Sequence, residues 1–228
     1  MDDNFPTDVG SLVADAWPVV TQMYLGVPAP GGSMIGQAIN RVLKRKIETA
    51  RDILLEEMRS GTARPPEAAH FDEFCGILYR YSRAATEGSA RLSLRLLAKI
   101  IAGQAHRGDF VADEFLSYAD RLSSLRRPEI IALGIIYKIA NLPEADLQGA
   151  EGFNVAVARR QLIQNELVPV VFDSLERLEA TLGSLTRTGF ISVTHVMGGA
   201  FSRPSPMLED LNKLASLEAV LRAEERKV

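Results

Sequence analysis

A single cysteine, Cys75, among 228 residues excludes an internal disulfide and fits a reducing compartment, expected here to be the cytoplasm. Histidine is scarce as well: His70, His106 and His195 are the whole set. Neither a His-Glu-x-x-His run nor paired Cys-x-x-Cys spacings occur, so no metal is expected. His70, Glu73 and Cys75 lie near one another in sequence, but a cysteine nucleophile also needs an orienting partner and an oxyanion hole. Beside Phe71, Phe74 and Leu78 the cysteine reads as a buried structural residue. The chain also lacks a long apolar run. Leu12 to Val27 is interrupted by Asp15 and Pro18, and Ile130 to Leu142 by Lys138. Neither reaches the roughly 20 residues of a spanning helix, so no membrane span is expected. The start, Met1-Asp2-Asp3-Asn4, is acidic where a secretion signal would be basic.

Phosphate-binding fingerprints are missing too. Glycines 31, 32 and 36 surround Ser33, yet no strand precedes them and no Lys-Ser or Lys-Thr pair follows. Loop and helix cap explain them, and no cofactor is expected. Arg64 and His70 have a spacing resembling that of helical nucleotide-binding RNase domains. The consecutive Pro65 and Pro66 between them stop the helix that would bring both side chains to one site. The balance points away from an enzyme.

What is present is globular material, 46% hydrophobic and 24% charged, in helical periodicity. Residues 1–33 read as an acidic arm and a Gly/Pro loop, with a short helix over 12–25 broken at Pro18. Ser33 caps a helix over 34–59 whose apolar positions (Ile35, Ile39, Val42/Leu43, Ile47, Ala50, Ile53/Leu54, Met58) step by three and four. Residues 61–68 form a linker and the clearest internal boundary. Helices are predicted over 71–86, from 90 to just past 101 with Gly103 and Gly108 marking the end, over 112–122, and over 129–140 with Pro128 in the first turn. Residues 141–152 form a loop, and Asn154 caps a helix over 155–167. The expected fold is mostly α, in three parts: 1–33, a helical domain 34–128, and a domain 129–228.

Two basic features stand out. Arg41, Lys44, Arg45 and Lys46 crowd the middle of the 34–59 helix. Arg80, Arg83, Arg91, Arg95 and Lys99 fall at steps of three, four or eight, a stripe along one side if the helix is unbroken. Between Gly76 and Gly108 six Lys and Arg face one acid, Glu87. Such a stripe suits nucleic acid or an acidic partner, with a solvated helix face as the plainer reading.

The informative pattern near the end is a helix running from Val170 to Thr188, a stop at Gly189, and a hairpin over 190–205. The hairpin is built from Phe190, Ile191, Val193 and Val196 before a Gly198-Gly199 turn. Leu208, Leu211, Leu214, Leu217 and Leu221 then line one closing helix. In this order the segment 129–217 resembles a winged helix-turn-helix domain. The resemblance implies that 129–140 and 154–167 are its first two helices, 170–187 its recognition helix and 190–206 its wing. Readers of duplex DNA present basic or amide side chains on the recognition helix. Here Asp173, Glu176 and Glu179 stand beside Arg177 and Arg187, and residues 129–228 hold 13 acids against 10 Lys and Arg.

The expectation is therefore a non-enzymatic helical interaction protein, self-associating as a homo-oligomer or docking a protein partner. The alternative is a nucleic-acid-binding regulator with weak, salt-sensitive contacts. The candidate contact residues are Arg80, Arg83, Arg91, Arg95, Lys99, Arg177 and Arg187.

Overall fold

The computed structural model describes residues 9–25, 34–59, 66–143, 147, 153–196 and 199–225. The acidic arm before residue 9, the loop at 26–33 with the Ser33 cap, most of the 61–68 linker with Arg64, most of the 141–152 loop and the side chain of Asn154 lie outside the described residues. Among the described residues the protein is mostly α, with ten α-helices and one two-stranded antiparallel hairpin. The chain divides into two compact units, residues 1–125 and 126–228.

The first unit contains α1 (Val9–Leu25), α2 (Met34–Arg59), α3 (Phe71–Glu87), α4 (Arg91–Arg107) and α5 (Ala112–Leu122). Helix α2 packs on α1, α3 and α4, so the 61–68 linker joins helices of one unit. The expected break at Pro18 does not occur. The proline removes one N–H from α1, and burial of Leu12, Val13, Trp17 and Val20 along one face carries the helix through it. Phe74 meets Phe110 edge-on, ring centres 5.0 Å apart, in a core that includes Ile47, Leu54, Ile77 and Leu97.

Gly88 ends α3 at φ +97°, its N–H donating to Ala85 O at 3.2 Å while Ser89 N–H reaches Ala84 O at 3.1 Å. Gly103, expected near the end of α4, lies inside it. The helix runs on to Arg107 and stops at Gly108, φ +73°. One glycine in mid-helix costs only about 1 kcal/mol, which the buried face of α4 outweighs.

The second unit holds α6 (Arg127–Ala140), α7 (Phe153–Leu167), α8 (Leu175–Thr188), β1 (Ile191–Val196), β2 (Gly199–Pro204), α9 (Pro206–Leu214) and α10 (Leu217–Glu225). The Glu129 carboxylate accepts from the Arg126 amide at 2.6 Å and closes the start of α6. Residues 170–174, expected to be helical, are not. The Val171 and Phe172 amides donate back to Leu167 O at 2.8 and 3.0 Å and close the end of α7, and α8 begins only where the Ser174 hydroxyl accepts from the Arg177 amide at 3.4 Å. The hairpin forms as expected and its register pairs Ile191 with Pro204 and Val196 with Gly199. Gly199 is thus a strand residue rather than a turn residue, and residues 197 and 198 lie outside the described set. The single closing helix is in fact two. Ala215 leaves helical geometry at φ −138°, and the Asn212 side chain accepts from the Leu217 amide at 2.9 Å to start α10.

Candidate functional site

The five-residue basic stripe does not form. Gly88 turns the chain between Arg83 and Arg91, so Arg80 and Arg83 belong to α3 and Arg91, Arg95 and Lys99 to α4. Helix α4 is buried on most of its circumference, and a side chain four residues along from the exposed Arg91 need not reach solvent. Arg95 is 2% exposed. Its Nη1 donates to Glu57 at 2.9 Å and its Nη2 to Glu56 at 3.1 Å, while Lys99 Nζ lies 3.0 Å from Glu57. Arg80 pairs with Asp120 of α5, and Arg83 Nε donates to Glu87 at 2.6 Å. Arg95 is therefore part of the core, corrected from a surface contact. A guanidinium inside a helical unit is tolerable only when its charge is matched, here by Glu57 and Glu56.

This buried network extends to Tyr81, whose hydroxyl donates to Ala50 O at 2.9 Å. Burial, and then the Glu57 carboxylate, push the phenol well above its usual range, with Arg95 opposing. The sequence reading missed Glu57 as an inward residue. It sits three after Leu54 and four after Ile53, on the apolar stripe itself, and that spacing was the available signal.

The basic stretch of α2 is placed differently. Residues 37–42 are exposed, and among the side chains described on this helix the first buried one is Ile47. Ile39 and Val42, 53% and 54% exposed, continue the stripe that Ile47, Ala50 and Leu54 bury. Arg41, Lys44 and Arg45 are exposed around them, and Lys46 is half-buried with its ammonium donating to Thr86 O at 3.3 Å.

On α8, Arg177 and Arg187 are both exposed. Arg177 lies 3.2 Å from Asp173, and Glu179 accepts from Arg160 of α7 at 3.1 Å. Glu176 is exposed on the same helix. Hydrogen bonds from its own amide and from Ser174 hold its carboxyl below the usual range, so it is charged at neutral pH. Strand β2 is flanked by two clefts of about 440 and 300 Å³ that share Ile163, Phe201 and Ser202.

Cys75 is half-buried, and burial, then the Asp72 carboxylate, push its thiol up and away from the reactive thiolate. Among the described residues no three His, Cys, Asp or Glu side chains gather to hold a metal, and no helix is long and apolar enough to cross a membrane. Comparison with family models, with curated proteins and with solved structures found no match.

Proposed function

We propose that the chain is a non-enzymatic, cytoplasmic interaction protein that docks a protein partner along the amino-terminal half of α2. The observation that carries this reading is the uncovered continuation of a core stripe. Ile39 and Val42 extend the buried face of α2 into solvent, at the spacing an amphipathic partner helix needs. Residues 34–46 contain Arg41, Lys44, Arg45 and Lys46 and no Asp or Glu. A symmetric contact between two copies about this segment sets these cations against their equals, whereas an acidic amphipathic segment complements them. The partner is therefore acidic and helical.

A second reading rests on the order of the second unit, three helices followed by a hairpin, which supports a winged-helix architecture. The charged Asp173, Glu176 and Glu179 favour its use for protein contacts over duplex reading. Residual duplex binding then comes from cations of the first unit and is lost as salt rises.

A photoreactive residue placed at position 39 or 42 of the full chain, with position 79 or 116 as control, tests the docking surface in cells. Crosslinks to one acidic protein confined to the first pair, and abolished by Arg41→Glu with Lys44→Glu, are expected. Equal crosslinking from all four positions overturns the reading. Duplex binding that survives physiological salt and disappears in Arg177→Ala or Arg187→Ala replaces it with a nucleic-acid regulator.

A further inference from the structure

The smaller of the two clefts beside β2, about 300 Å³, is walled by α7, α8 and both strands of the hairpin. Its lining is largely apolar, with Ile163 of α7, Leu178 and Leu182 of α8, Val193 of β1 and Phe201 of β2. Charge at the cleft is cancelled on site, because Arg160 and Glu179, which both line it, pair at 3.1 Å. The remaining polar side chains are uncharged. They are Gln164 and Ser202, and neither side chain makes a hydrogen bond among the described residues. Gly183 belongs to the same wall, four residues after Glu179 and hence on the same face of α8. Nothing in the fold calls for a glycine there. It does not cap the helix, which stops at Gly189, and a Cβ at position 183 would stand in open space. A glycine in mid-helix lowers helix stability, yet here its missing side chain keeps the cleft open.

We infer that this cleft binds a small, neutral, planar ring compound. Its volume stands at the lower end of the roughly 300–1,000 Å³ of small-molecule pockets, which suits one or two fused rings. A flat ring fits where a glycine lets a ligand approach the helix backbone closely, and Phe201 offers an aromatic ring for it to meet. With Arg160 and Glu179 neutralising each other, a charged ligand would lose hydration and gain no matching charge. Ser202 and Gln164 supply a hydrogen bond for one hydroxyl, carbonyl or ring N–H. The inference does not rest on the docking surface of α2, which belongs to the first unit.

The test is titration calorimetry and thermal unfolding of the full chain with indole. Indole-2-carboxylate is the charged control and cyclohexanol the non-planar one. Indole should bind saturably, with Kd of about 1 mM or tighter, and raise Tm, while both controls bind roughly tenfold more weakly or worse. Gly183→Leu fills the cleft and should weaken indole by roughly tenfold or more. The Tm of the unliganded variant should not fall, since leucine is the better helix former. Gly183→Ala keeps the test readable if leucine disturbs the fold: its Tm rises, and indole weakens by a smaller factor. Glu179→Gln frees Arg160 and should let indole-2-carboxylate bind as well as indole does. Arg41→Glu with Lys44→Glu, which breaks the α2 surface, should leave indole binding unchanged, so the two readings fail separately. Four results overturn the inference: no saturable indole binding, equal affinity of the parent for indole and either control, parent-like indole binding by both Gly183 variants, or a parent dimer that Gly183→Leu converts to monomer in sedimentation. The last result assigns the cleft to a second copy of the chain.

Discussion

Both units carry ion pairs at the surface, and the first also buries charge. In residues 1–125 an arginine, a glutamate and a tyrosine hydroxyl sit inside the helices. In residues 126–228 the ion pairs are at the surface, Arg177 with Asp173, Arg160 with Glu179, Lys138 with Glu166, and the fully buried side chains are apolar ones such as Leu133, Leu178, Leu185 and Phe190. The difference separates two uses of charge. Buried pairs fix one arrangement of helices and punish the loss of either partner; exposed pairs contribute little and leave the surface free to be shaped by a ligand.

Breaking the buried pair gives the largest expected effect. Arg95→Ala leaves Glu57 inside without its guanidinium and should cost about 3–5 kcal/mol in denaturant unfolding of the full chain. Arg95→Met combined with Glu57→Leu should recover most of that loss, because Lys99 keeps a path to solvent at 24% side-chain exposure. A cost below about 1 kcal/mol for Arg95→Ala would mean that the pair is solvated, and the contrast between the units would collapse.

That pair also marks what the sequence could and could not convey. Apolar periodicity predicted α2 and α5 to the residue, because their stripes are uninterrupted and their ends carry Gly or turn signals. The hairpin was legible from β-branched residues between two glycine stops. Charge periodicity failed for Arg95 because a step of four from Arg91 says which side a residue is on, and nothing about whether that side is covered. Gly88-Ser89, expected as a break or kink, is a full stop, and Val170, expected to be helical, lies where the chain has left helical geometry until Ser174 caps α8. The pairing of Arg95 with Glu57 was invisible for a different reason: it is a tertiary juxtaposition of α4 with α2 that no local pattern encodes.

Within the second unit the sharpest test is steric. Gly134 on α6 faces Leu221 on α10, and a Cβ at Gly134 would run into the Leu221 side chain. Gly134→Val should therefore destabilise by about 1–3 kcal/mol through overpacking. Combining it with Leu221→Ala should relieve part of the loss, and strict additivity would show that α6 and α10 are not in contact.

Tyr81 gives a smaller effect with a pH signature. Tyr81→Phe deletes one hydrogen bond, to Ala50 O, and should cost about 1 kcal/mol at neutral pH. Because the folded phenol titrates above the unfolded value of about 10, its protonated state favours the fold. That contribution is complete below pH of about 10 and is lost progressively as pH rises beyond it. The variant should consequently lose less stability than the parent between neutral and alkaline conditions. Parallel stability curves for the two would show that Tyr81 is reached by water.

The smallest expected effect belongs to the exposed pair that most resembles a functional contact. Arg177 and Asp173 are 3.2 Å apart with side chains 73% and 64% exposed, so solvent screens their attraction. Arg177→Ala should change stability by no more than about 0.5 kcal/mol. Asp173 left alone is not stranded, because it precedes the first turn of α8, where the helix dipole favours negative charge. The same substitution should leave any duplex binding unchanged, since Glu176 and Glu179 already oppose a phosphate on that face. A loss of more than about 1 kcal/mol would show that Arg177 makes a contact beyond this screened pair. It would also remove the contrast with Arg95, the guanidinium that the fold encloses.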